Sequence, residues 1–292
     1  MRRSGDDAGP RGGGVAMTAG EQYFDLGSYH RPVQTPSAQA QVWFDRAMVW
    51  AYAFNHEESI RCFERALDLD PGLAIARWGI AYAVGPNYNK PWVAFDPVDM
   101  TTSLARARME LSLAAQGRAS PVDQGLVAAL QARFPTDDPD DAEALRAGLG
   151  AYADAMAELA AAYPADVDVQ ALAADALLNV TAWALWDTAT GEPAAGSRVL
   201  EAKRLLDQAL ATPAGRAHPG ILHLYLHAWR CRRPPRLPCR RPTCCAAWCP
   251  TPGICSTCLA ISTCCAATTA ARCWPILPRC GRIGGSSVAR AR

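Results

Sequence analysis

A chain of 292 residues, half of them hydrophobic and a fifth charged, has room for one large or two ordinary domains and enough apolar side chains to bury a core. It contains no run of about 18 apolar residues, which argues against a membrane-spanning helix. Its net charge of +1 averages two unlike pieces: residues 208–292 hold twelve arginines and no Asp or Glu, so all 28 acidic residues and 17 basic ones lie before them.

Residues 1–22, rich in Gly and Arg and lacking an apolar h-region, are expected to be a disordered leader and not a secretory signal. Patterned sequence begins at Tyr23. Residues 40–71 fit a tetratricopeptide unit, W-x2-L-G-x2-Y then A-x3-F then P. Trp43, Ala47, Trp50, Ser59, Phe63, Ala66 and Pro71 take its positions at the right offsets. Small side chains at 47 and 59 let two antiparallel helices approach, with the aromatic residues at 43, 50 and 63 filling the space around the contact. Asn55 is the expected N-cap of the second helix, Glu57 and Glu58 favour its N-terminal dipole, and Pro71 ends it. Residues 73–84 read as a further helix, and GPNYNKPW (85–92) as a turn-rich loop. Helices follow over 100–116 and 122–134, the latter with Ser120 at N-cap and Pro121 at N1. Three more are expected over 142–163, 171–186 and 199–211. Only Cys62 of the twelve cysteines precedes Arg230, so no disulfide framework is expected in the helical part, and a cytoplasmic location follows as the default.

These segments add up to an all-α fold of stacked, tetratricopeptide-like helix hairpins, an α-solenoid spanning 23–228. YFDLGSYHRPV (23–33), residues 40–67, IAYAVGPNYNKPW (80–92) and HPGILHLYLH (218–227) together resemble a family of tetratricopeptide-repeat proteins, mostly bacterial. The resemblance implies the fold, brings no established activity, and implies a chain that continues well beyond this length. It also implies that HLYLH is followed by MEMSP, a helix, and a segment close to GLVPDAGHLQHMPSH. The observed tail, 229–292, is instead rich in Cys, Arg and Pro. When the last base of each codon is read with the first two of the next, GICSTCLAI (253–261) becomes HLQHMPSH, and the same register from Ala228 gives MEMSP. A one-base slip near Ala228, in the gene or its reading, accounts for this, so the tail is expected to be out of frame and disordered. Its cysteine spacings are therefore assigned no metal, and its arginines, lacking a patterned helix or aromatic platform, no nucleic acid.

Two constellations could carry chemistry. His223 and His227 stand at i, i+4 on an expected helix, with His218 at its start and His56 opening another. This is a spacing that can bring imidazoles to one divalent metal, and equally one that lets histidines hydrogen-bond helix layers together. Asn87, Tyr88, Asn89, Lys90 and Trp92 cluster polar and aromatic groups on one turn, as either a partner-binding loop or a buried connection would. The expected function is a scaffold whose groove binds a protein or peptide partner, without a cofactor. The alternative is a metal-dependent enzyme using the histidines and impaired by loss of the C-terminal ones.

Overall fold

Short polar side chains set where the helices begin. Ser37, Asn55, Asp96, Ser120, Asp141, Asp166 and Thr212 each accept a hydrogen bond from a first-turn N–H of the helix that follows. The computed structural model describes residues 23–229, and among them are ten α-helices and no β-strand. They are α1 (Ala38–Tyr52), α2 (His56–Leu69), α3 (Ala74–Val84), α4 (Pro97–Ala114), α5 (Pro121–Gln131), α6 (Ala142–Ala162), α7 (Val167–Asn179), α8 (Val199–Leu210), α9 (Pro213–Ala217) and α10 (Pro219–Trp229). The fold is all-α, as expected. Residues 1–22, expected as a leader, and 230–292 of the expected tail lie outside the described residues, while Ala228, where the slip is inferred, and Trp229, the first residue of that tail, end α10. No helix among the described residues is long and apolar enough to cross a membrane.

The first hairpin packs where its small residues allow. Ala47 and Ser59 are both fully buried, and the Ser59 hydroxyl donates to the Ala47 carbonyl at 2.8 Å. Phe44 and Phe63, both 0% exposed with ring centroids 5.6 Å apart, fill the space beside that contact. Trp43 and Trp50 do not. They turn to the extended segment before α1, where Tyr23 meets the Trp43 ring at 5.1 Å and accepts the Trp50 indole N–H at 2.6 Å. The next helix seats just as closely, since a Cβ on Gly79 of α3 would lie 2.3 Å from the Phe63 ring.

Neighbouring helices pack in sequence, α1 on α2, α2 on α3, α3 on α4, α6 on α7 and α7 on α8, while α10 returns to touch both α7 and α1. Helix α7 is the central element: every residue from Asp168 to Asn179 is buried. It differs from the expected 171–186 at both ends. The Asp166 cap starts it earlier. At the far end the chain leaves the helix after Asn179 and turns through Ala182, whose φ of +39° no helix tolerates. Asp168, Asp175 and Asn179 stand at i, i+7 and i+11, so all three project from one face of α7. Each marks a different polar site along that face.

Candidate functional site

At the Asp168 level the polar groups are fully paired. Arg31, 6% exposed, reaches from the extended segment to Asp166 at 3.0 Å and to Asp168 and Asp123 at 3.4 Å. The Asp168 carboxylate also accepts from the Tyr29 hydroxyl at 2.5 Å, the Tyr52 hydroxyl at 2.7 Å and His218 Nε2 at 2.9 Å. Burial pushes the Asp168 carboxyl up, but His218, Arg31 and Tyr29 together outweigh it and hold the group well below the usual carboxylate range. His218 Nδ1 accepts the Ile221 N–H at 3.3 Å, so the ring proton sits on Nε2, facing Asp168. His218 thereby caps α10 and ties it to α7, with both of its nitrogens engaged.

Two turns along α7, around Asp175, several polar groups are instead left open. The Asp175 carboxylate accepts from the Tyr82 hydroxyl at 2.8 Å, and the Asn179 side-chain amide one turn on is close enough to favour its ionised form. Arg133, 0% exposed, makes a single hydrogen bond, to the Pro86 carbonyl, while its Nε and Nη1 have none. Its guanidinium lies 5.1 Å from the Tyr152 ring and 5.8 Å from the Tyr82 ring. The Tyr152 hydroxyl, the Trp78 indole N–H and both His56 ring nitrogens are also buried without partners. Burial, reinforced by the Arg133 charge, pushes the His56 imidazole down to about 4, so it is neutral at physiological pH. Burial raises the Asp175 carboxyl despite the opposing pull of Arg133.

Beside this cluster lies a second group of rings. Phe54, in the turn between α1 and α2, has a φ of +61°, an uncommon conformation for a bulky side chain and the kind of strain that surrounding structure must over-determine. It contacts His223 at 4.5 Å, His227 at 5.2 Å, His56 at 6.0 Å and Tyr88 at 6.4 Å between ring centroids. His223 Nδ1 donates to the Tyr52 carbonyl at 2.6 Å, since a carbonyl can only accept. Burial lowers the His223 pKa, so its Nε2 is bare and accepts from His227 Nε2 at 3.1 Å. The i, i+4 spacing therefore does join two of the four histidines. His218 is held elsewhere, His56 meets the pair only through Phe54, and among the described residues no group of three or more His, Cys, Asp or Glu is arranged to hold a metal.

Beyond Asn179 the molecule opens into a cleft of about 760 Å³ between the 91–93 turn, α6 and the 180–184 turn. Its walls are apolar, with Leu145 and Leu149 from α6 opposite Trp92, and its rim carries Val93, 91% exposed, and Trp183, 50% exposed. Three polar groups line it without partners: the Asn179 amide oxygen, the Thr181 hydroxyl and the Trp92 indole N–H. A drug-sized volume, apolar walls and a few convergent polar atoms are the usual constitution of a ligand site.

The structure divides the loop residues singled out from sequence. Asn87 works on its own turn, its side-chain oxygen accepting the N–H groups of Asn89 and Lys90 at 3.0 Å. Lys90 pairs with Asp99 and lies 4.2 Å from the Phe95 ring centroid. Tyr88 is buried and meets His227 at 4.6 Å. Asn89 is exposed, and only Trp92 of the five lines the cleft. Sequence reasoning passed over Arg31, Arg133, Asp168, Asp175 and Asn179. The signal present was a set of polar residues spaced by seven and four in an otherwise Ala- and Leu-rich helix. Compared with known proteins, the chain matches no family model, no curated protein and no solved structure.

Proposed function

We propose that this chain is a tetratricopeptide-type scaffold that binds a protein or peptide partner, with the cleft beyond Asn179 as its docking site. The observation that carries the reading is the combination of an exposed apolar rim, Val93 and Trp183, with an unpartnered amide oxygen, hydroxyl and indole N–H inside. An extended peptide supplies what both need: an apolar side chain for the walls, and a backbone N–H and C=O for Asn179, Thr181 and Trp92. A cytoplasmic setting suits a helical part whose only thiol, Cys62, is buried and unpaired. Panning a displayed peptide library on the purified chain tests the reading. Selected peptides should bind Trp183→Ala at least about thirtyfold more weakly, the usual loss when an aromatic anchor of about 2 kcal/mol is truncated. A library that yields no binders, or binders indifferent to Trp183→Ala and Asn179→Ala, overturns it.

A second reading, a metal-dependent enzyme, rests on one feature. The His223 Nδ1 bond to the Tyr52 carbonyl fixes that ring as outer-shell bonds fix metal-ligating histidines, with the two Nε2 atoms 3.1 Å apart. Cobalt(II) titrated into the purified chain would develop visible absorption that His223→Phe abolishes. A spectrum unchanged by cobalt, or one that survives His223→Phe, removes this reading.

A further inference from the structure

The geometry points to a small-oxyanion site at the cluster of unpartnered polar groups shared by α2, α3, α6 and α7, where the Arg133 guanidinium would bind a carboxylate or phosphate group. This inference does not depend on the cleft binding a peptide.

The argument starts from Arg133 itself. A guanidinium stays protonated in proteins and carries five N–H donors, yet this one, at 0% exposure, has one hydrogen bond and two nitrogens without any. The flanking Tyr152 and Tyr82 rings offset part of its charge by cation–π attraction. They do nothing for the open N–H groups, which lie in the guanidinium plane. Among the described residues no carboxylate comes within ion-pair distance of it. The nearest candidate, Asp175, bonds the Tyr82 hydroxyl instead, and burial drives its carboxyl toward the neutral form.

The other unpartnered atoms share the same bias. The Tyr152 hydroxyl, the Trp78 indole and one His56 nitrogen are donors, while the second His56 nitrogen is an acceptor. Tyr82 links these groups: its hydroxyl bonds Asp175, and its ring lies 5.8 Å from the Arg133 guanidinium, stacks on Trp78 at 5.5 Å and meets the His56 ring at 6.3 Å. A buried site with a permanent cation and surplus donors is complementary to a compact anion with several acceptor oxygens. A metal cation or an apolar ligand would leave these groups as they are. The site so proposed would be approached from the cleft, since Asp175 stands one helical turn from Asn179, which lines it.

The test is the melting temperature of the full chain in acetate or inorganic phosphate, against chloride at equal ionic strength. At a hundredfold excess over Kd, binding should raise it on the order of 5–10 °C and then saturate. A rise with acetate alone marks a carboxylate site, and a rise with phosphate alone a phosphate site. Arg133→Met should abolish the rise. Should that variant not fold, Tyr152→Phe, which removes one open donor, must weaken the anion by severalfold while leaving the fold intact. No rise with either anion overturns the proposal, and so does a rise that persists in both variants, which would be a general salt effect.

Discussion

Two buried charge clusters lie about 10 Å apart along one face of α7, and they are built on opposite rules. Around Asp168 every polar group named has a partner: Arg31 bridges Asp123, Asp166 and Asp168, while Tyr29, Tyr52 and His218 close on the same carboxylate. Around Asp175, Arg133, His56, Tyr152 and Trp78 keep open donors in an equally dry setting. A satisfied network fixes a structure, whereas a half-satisfied one is costly unless something else completes it. Burial alone would rank the two alike. The pairing of each atom separates a clasp that holds the extended segment onto the helices from a cluster whose open donors a ligand could complete.

The sharpest way to break this contrast is to remove each arginine. Arg31→Met strands three carboxylates and should cost about 3–5 kcal/mol in urea denaturation. Arg133→Met, assayed without added oxyanion, should change stability by no more than about 1 kcal/mol, because desolvation cost and attraction disappear together. Equal losses would erase the distinction. Next in size is the acid limb of the stability profile. His56 takes up a proton near 6.5 when unfolded but only near 4 when folded. Stability contributed by its neutral form is therefore present above pH 6.5 and lost as pH falls toward 4, on the order of 3 kcal/mol. His223, also lowered, acts in the same direction, and Asp175, raised, opposes them at the acid end. Melts across this window should flatten in His56→Phe.

Smaller effects should sort the same way. Tyr52→Phe deletes a bond to an ionised carboxylate and should cost about 2 kcal/mol, while Tyr152→Phe, which deletes an unpartnered hydroxyl, should be neutral or stabilise by up to about 1 kcal/mol. Thermal melts of the two variants side by side decide this. The smallest change is expected for Asp175→Asn, within about 1 kcal/mol, since the carboxyl is already pushed toward its neutral form and the amide still offers Tyr82 an acceptor. A loss comparable to that of Tyr52→Phe would mean the Asp175 carboxylate is as firmly held as the clasp one.

What could be read from the amino acids alone was what is decided over short distances. The Asn55 and Ser120 caps, the Pro121 start and the contact of Ala47 with Ser59 are all set within one helix or one hairpin. The same pattern misplaced Trp43 and Trp50, because their faces are claimed by Tyr23 from an extended segment that no repeat consensus describes. The histidine spacing correctly paired His223 with His227, but it could not show that His218 is committed to Asp168. Arg31 and Arg133 were illegible for a simple reason. A buried arginine has the same letter as a surface one, and the carboxylates that separate the two cases lie up to 137 positions away.

The bond from His223 to the Tyr52 carbonyl joins residues 171 positions apart and stitches the last described helix to the first. During synthesis on the ribosome this stitch, and the His218 contact with Asp168, must wait until α10 has been made. Until then the earlier hairpins stand with an uncovered flank and an Asp168 carboxylate short of one donor. Maturation is therefore gated by the arrival of α10, and a nascent chain stalled before position 218 should be markedly more sensitive to protease than one arrested after 229.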